Sequence, residues 1–557
     1  MGCLRALLIL VFAMLLLATT ARAQVIPPSE QPGRERERFT QPPAPLAQPG
    51  GEGISLPSTT APPGAENISL LISGIQIVGS TVYSPDQLAV LYQDMIGHEW
   101  SLKSIYELAQ RITTKYGNDG YVLTRAIVPP QQLNPHGAVV RIEIVEGYID
   151  KVEWPPQLSR YRDFFTSYAA KITAQRPINI RTIERYMLLA GDLPGLKFSN
   201  TLRPSGGQTG AATLVVEVIE KPVDANAHVD NRGTQARGPF EYYGSATANN
   251  LFKWHEAFTF SYAGVVPLQE LNYAAANYKQ VLTSEGLAAF VDFSDAWGKP
   301  GTVQLEDLQY RTFGPYLDAG LSYPFIRTRE TNLKFSGLFF ASNNESDVLG
   351  AKFNDDKLRG FRGRADADFA DALLGVTQIY AVVSQGIQGL GSTDNGNPLA
   401  SRAAGRVDFT KFEAFAGRVQ PLFANFSAYG AIYGQYAATP LLVPEQCGFG
   451  GRFFGRAFDP SQILGDSCAE ASGELRFDWP GLPPQISQAE LYAFTDWGHL
   501  TTLDAAVGTP ADVDAASAGA GVRLGLFNHF DTDLTVAKAI EGPRDDWRFF
   551  FIASARY

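Results

Sequence analysis

Trp547-Arg-Phe-Phe-Phe-Ile-Ala-Ser-Ala-Arg-Tyr557 closes the sequence, and its reading decides the fold. Counting back from Tyr557, one face of a strand carries Ala555, Ala553, Phe551, Phe549 and Trp547, and the other carries Arg556, Ser554, Ile552, Phe550 and Arg548. Successive strand residues point to opposite sides, so an apolar face beside a wetter one predicts lipid outside and an aqueous interior. In hydrocarbon every backbone N–H and C=O needs an internal partner, and a membrane protein without long apolar helices must therefore close its sheet into a barrel. Taken alone, the segment also fits an end strand of a soluble sandwich.

The composition agrees with the barrel. Of 557 residues 45% are hydrophobic and only 18% charged, with 53 Gly, 35 Phe and 23 Tyr. That is more chain than one core needs, so two or more domains are expected. It is also rich in strand formers and in the aromatics that gather at membrane interfaces. The long apolar run, 6–18, follows Arg5 and precedes Ala21-Arg-Ala23, so 1–23 reads as a cleaved secretory signal peptide. Cleavage leaves Cys447 and Cys468 in an oxidising compartment. A disulfide between them is expected, with free thiols or a metal site as the weaker readings. A net charge of −11 argues against nucleic acid as a partner. The sequence has no Gly-x-Ser-x-Gly, no His-Glu-x-x-His and no phosphate-binding Gly loop. No catalytic residue, cofactor or metal site is expected, and the chain is not read as an enzyme.

Residues 24–68 form a Pro-rich linker by composition, with Pro pairs at 27–28, 42–43 and 62–63. Within it Arg34-Glu-Arg-Glu-Arg38-Phe39 reads as a solvated charge run, one or two helical turns being the alternative. From Ser69 the pattern becomes strand, helix, helix, strand, strand. Ile72, Ile75 and Ile77 mark the first strand and Ser84 caps the first helix. Ile105, Leu108, Ile112 and Tyr116 stand at helical spacing in the second, and 121–128 and 139–146 read as the closing strands. The order then repeats, with a strand at 148–154, helices at 161–174 and 180–190, and strands at 196–202 and 212–219. Residues 223–557 show alternating runs and no helical period, and at roughly 20 residues per strand they give about 16 strands.

Three stretches of the first unit, Gly74-Ile-Gln-Ile-Val-Gly-Ser80, Tyr116-Gly117 with Asp119-Gly120-Tyr121, and Val145-Glu-Gly147, resemble the first POTRA (polypeptide-transport-associated) module of two-partner secretion transporters. The resemblance implies an all-β transmembrane barrel of about 16 antiparallel strands at 223–557, preceded by two α+β POTRA domains, 69–147 and 148–222. The closing strand, with Phe549, Phe551 and Tyr557, is similar to the terminal assembly signal of bacterial outer-membrane barrels. It implies outer-membrane lipid and the barrel-assembly machinery as partners. Gly450-Gly-Arg-Phe-Phe-Gly-Arg-Ala-Phe-Asp459 and Leu464-Gly-Asp466 resemble the family's re-entrant loop, at about 439–470 here, with Arg456, Ala457 and Phe458 as its tip. Family members carry Gly where Ala457 stands, a departure that bears on the backbone at the tip. The wall partner of the tip is implied to be Phe494-Thr-Asp496, and strand alternation independently turns Phe494 and Asp496 to the lumen. The implied function is an outer-membrane translocator whose periplasmic POTRA domains capture an unfolded exoprotein, of the large β-helical adhesin or haemolysin class, and whose barrel secretes it. A barrel-assembly factor and a passive porin-like channel are the alternatives.

Overall fold

The computed structural model describes residues 26–39, 44–50, 60–506 and 508–557, and the expected signal peptide, 1–23, lies outside them. The first unit is a four-stranded sheet in the order Glu99–Ser101, Ser69–Val78, Ala138–Val145, Arg125–Ile127, with the two central strands parallel. A parallel pair needs a crossover. The helices Pro85–Ala89 and Leu102–Asn118 supply it, the first opened by a capping box between Ser84 and Gln87. Ile105, Leu108, Ile112 and Tyr116 bury the longer helix on the sheet.

The recognisable motifs of this unit are its joints. The Glu146 carboxylate accepts hydrogen bonds from the Thr81 backbone N–H at 2.7 Å and the Tyr116 hydroxyl at 3.0 Å, tying the last strand to the first turn and to the helix. Gly79 has φ +88°, and a Cβ there would meet the Ile144 carbonyl oxygen at 2.3 Å. The strand expected over 121–128 is shorter, Arg125–Ile127, because Gly120 and a turn from Tyr121 to Thr124 use up its first half. The second unit pairs Tyr148–Glu153, Ala211–Glu220 and Leu196–Pro204 under the helices Phe165–Ala174 and Ile180–Gly191.

From Val223 to Arg556 sixteen antiparallel strands close into a barrel. Arg311–Phe313 and Tyr316–Arg327 count as one strand, since both pair with Ala288–Gly298 and Thr331–Val348 and only Gly314 and Pro315 separate them. Leu349 and Gly350, both at positive φ, make a tight outer turn between Thr331–Val348 and Ala351–Ala370. At about 3.4 Å per residue these strands run far beyond the ~25 Å apolar band and stand out of the membrane.

The closing strand, Trp547–Arg556, alternates as its sequence predicts: Trp547 and Phe549 are exposed on the outer wall and Phe550 is buried inward. It makes nine register pairs with its predecessor, Phe530–Glu541, but only five with the first barrel strand, Val223–Asp230. Above those five the Asn231 side chain bridges the seam, donating to the Phe549 carbonyl at 2.9 Å and accepting from the Phe551 N–H at 2.8 Å.

The charge run is not solvated. Glu35–Phe39 is a helix, and Arg34, Glu35 and Arg38 are buried inside the barrel. A Pro-rich segment cannot build a core of its own, but it can fill a lumen that the barrel has already formed.

Candidate functional site

The connection between Phe426–Ala437 and Ser467–Asp478 turns back into the barrel. Its base is a short hairpin, Cys447–Phe449 with Ile463–Gly465, and Cys447 is disulfide-bonded to Cys468 at the head of the descending strand, Cα to Cα 6.5 Å. Asp466, fully buried, organises the ground above the hairpin. It accepts hydrogen bonds from Arg402 at 2.5 Å, the Leu441 N–H at 2.9 Å and the Leu503 N–H at 2.7 Å, so three outer connections converge on one carboxylate.

Below the hairpin lies the tip. Arg456 forks onto Asp496, Nε to Oδ2 at 3.1 Å and Nη2 to Oδ1 at 2.9 Å, and its own backbone N–H adds a bond to Oδ2 at 2.9 Å. Its third nitrogen, Nη1, reaches Glu474 at 2.6 Å, and the guanidinium plane lies 3.5 Å from the centre of the Phe494 ring. Ser472 and Ser517 donate to the remaining lone pairs of Asp496 at 2.9 and 3.1 Å. Glu474 in turn accepts from Arg523 and Arg476, each at 2.7 Å. Buried charges of this kind hold only as a fully satisfied set, because removing one leaves another without a counter-charge in low dielectric.

The structure thus brings Arg456, Phe494 and Asp496 together. Phe458 packs on Phe449, ring centres 5.6 Å apart, within a buried cluster that includes Phe494 and Phe550. Ala457 is buried in the same cluster and is not among the residues at positive φ; those between the two hairpin strands are Gly450, Gly451, Gly455 and Ser461. An alanine is therefore accommodated at 457 without backbone strain. Its carbonyl accepts from Arg548 of the closing strand at 3.2 Å. Phe549 and Tyr557 stand apart on the outer wall, and Phe551 packs there on Phe240 at 6.3 Å.

Sequence reasoning missed Glu474 and Ser472. Both alternate to the lumen on Ser467–Asp478, and that alternation was the available signal. The N-terminal segment, expected as a solvated Pro-rich linker, also enters the lumen. Glu30 accepts from Arg237 Nε at 2.7 Å and Thr234 at 2.8 Å, and Arg237 reaches Glu35 with Nη2 at 2.8 Å. Burial would raise the Glu30 carboxyl, but Arg237 and then Arg38 outweigh it and hold that carboxyl below its ordinary range. Arg34 donates to the Gln446 carbonyl at 2.7 Å and to Ser461 at 3.1 Å, which fastens this segment to the re-entrant loop. Phe39 packs on Tyr273 of the wall, 5.1 Å between ring centres. Farther along, the Ala47 N–H bonds Asp368 and the Gln48 N–H bonds the Arg329 carbonyl at 2.9 Å, both at the periplasmic end of the barrel.

Comparison with known proteins places this geometry in a group. The family described as haemolysin secretion/activation protein ShlB/FhaC/HecB matches residues 211–524, and the POTRA domain, ShlB-type, matches residues 70–147. The outer membrane transporter CdiB of Dickeya dadantii (strain 3937) is 24% identical over 428 residues, 72% of this chain and 71% of that protein. The heme/hemopexin transporter protein HuxB of Haemophilus influenzae (strain ATCC 51907 / DSM 11121 / KW20 / Rd) is 23% identical over 491 residues, 82% of this chain and 81% of that protein. Among solved structures, CdiB from Escherichia coli superposes with a TM-score of 0.69 at 18% identity, covering 94% of this chain and 96% of that one.

Proposed function

The chain belongs to the haemolysin secretion/activation protein family ShlB/FhaC/HecB, the transporters of two-partner secretion, and from that premise we propose that its lumen is a gated path closed by two pieces of its own chain. As a member it is an outer-membrane translocator that passes a secreted partner exoprotein through its barrel. The observation that carries the gate is the double filling of the lumen: the tip at Arg456 on Asp496, and the segment at Glu30 on Arg237, joined by Arg34. Both are held by ion pairs and hydrogen bonds, contacts that an extended polar chain can replace one at a time.

The cargo is an unfolded exoprotein of the β-helical adhesin or haemolysin class, captured by the two POTRA domains before it meets the gate. Leu196–Pro204 is a nine-residue edge strand, whereas the outer strands of the first sheet have three residues each. Strand addition on that edge gives affinity through backbone hydrogen bonds and register through side-chain pockets. Folding of the cargo outside then gives direction. Phe549, Phe551 and Tyr557 serve earlier, as the signal read by the barrel-assembly machinery.

The test is a photo-crosslinking residue placed at Phe453, a half-exposed aromatic of the loop tip, in cells making a cargo that stalls in transit. Crosslinks to cargo from position 453, and none from the lipid-facing position 549, are expected. Cargo that is secreted without ever crosslinking to 453 overturns the reading.

A further inference from the structure

A cleft of about 550 Å³ opens where the helices Phe165–Ala174 and Ile180–Gly191 meet the end of the barrel strand Tyr316–Arg327. Lys171, Arg181, Arg185 and Arg327 line it, together with Tyr186 and Phe325. Its two walls are fastened to each other: Arg327 forks onto Asp192 at 2.7 and 2.8 Å, and Arg185 donates to the Phe325 carbonyl at 3.4 Å. Carboxylates take part of the positive charge, since Glu285 lies 3.4 Å from Arg185 and 3.8 Å from Lys171. Lys171 and Arg181 nevertheless remain exposed to the cleft.

Topology sets its height. The turn at 328–330 is on the same rim as the turn at 250–255, where the Lys253 carbonyl accepts from the Arg162 N–H of the second periplasmic unit at 2.8 Å. The cleft therefore opens at the periplasmic rim of the barrel wall. On the barrel side of the cleft the outer wall carries Phe325, 61% exposed, packed edge to face on Phe335 at 6.2 Å. On the lipid face of a barrel such aromatics are covered by acyl chains.

We propose that this cleft binds an anionic phospholipid of the periplasmic leaflet, its phosphate on Lys171 and Arg181 and its acyl chains over Phe325 and Phe335. Basic pockets at a membrane surface select anionic headgroups. The lipid here touches both the helices and the barrel wall, so it would set the angle at which the second periplasmic unit meets the pore.

Full-length protein in dodecyl maltoside, titrated with phosphatidylglycerol, phosphatidylethanolamine and glycerol phosphate, with bound species read by native mass spectrometry, tests this. Phosphatidylglycerol is expected to bind at least about tenfold more tightly than phosphatidylethanolamine, and the double variant K171Q/R181Q to lose that preference while its barrel stays heat-resistant. Phe325→Ser should weaken both lipids. Should the double variant not fold, either single substitution suffices, each reducing the preference several-fold. Equal affinity for the two lipids, or a preference untouched by the substitutions, overturns the proposal. Glycerol phosphate bound as tightly as phosphatidylglycerol also overturns it, since the site would then take a free anion and no lipid.

Discussion

Arg456 carries three hydrogen-bonding nitrogens into a pocket with two carboxylates, and the fork goes to Asp496. Removing one member of a buried pair costs about 3 to 5 kcal/mol locally, because the survivor is left unpaired. Arg456→Ala and Asp496→Ala should each release the tip and impair secretion of the partner exoprotein. The double variant should be little worse than either single, since groups acting as one unit are not additive; losses that multiply would mean two independent roles. Ala457 gives a second expectation. Its φ is not positive and its methyl is buried, so Ala457→Gly restores the family residue but loses packing and adds unfolded-state entropy, roughly 1 kcal/mol of loop stability. Limited proteolysis at the tip should become faster; slower cleavage would show that the alanine is strained. Glu30→Ala removes one of the two carboxylate acceptors of Arg237 and loosens the N-terminal segment, and ion conductance in planar bilayers should rise. Unchanged conductance would assign the barrier to the loop alone. Arg456 and Asp496 were legible because each sits in a short motif whose partner faces the lumen by simple alternation. Glu474 was not, since a lumen acid looks like any other until the strand beside it is registered against the loop.

Among the elements, the closing strand offers the sharpest contrast. A cation on its lipid face near the midplane costs about 2 to 4 kcal/mol, and on the lumen face much less. Phe551→Arg should therefore deplete heat-resistant folded barrel far more than Ser554→Arg, as read by gel mobility without boiling, and deletion of Tyr557 should slow assembly. The opposite ranking would reverse inside and outside. Long alternating strands of this kind could be read from the residues because period two is a property of one strand alone. The burial of the run 34–39 could not, because it is supplied by Arg237 to Glu35 and by Gln446 and Ser461 to Arg34, all more than 200 residues away in sequence. Composition reports whether a segment can make its own core. It is silent on whether another element will receive it.

At the scale of the whole molecule, the proposed function divides capture and passage between the sheet units and the barrel. Deleting 69–144 should abolish secretion while the barrel still inserts, and normal secretion from that deletion would remove the first unit from the mechanism. The repeat of one architecture ahead of sixteen strands was readable from the order of patterns, whereas the cleft between the second unit and the rim depends on an angle that no local pattern encodes. The seam of the barrel adds one consequence. A polypeptide that fills a tube pushes outward, and the wall resists as a hoop in tension, every junction between neighbouring strands carrying the same load. The junction between Trp547–Arg556 and Val223–Asp230 carries it on five register pairs, the backbone bonds of Tyr557 to Ala225 and an asparagine bridge, fewer pairs than its neighbours have, so circumferential strain gathers there first. The first line along which the tube is expected to yield is therefore the one beside the closing strand, ahead of the other fifteen junctions.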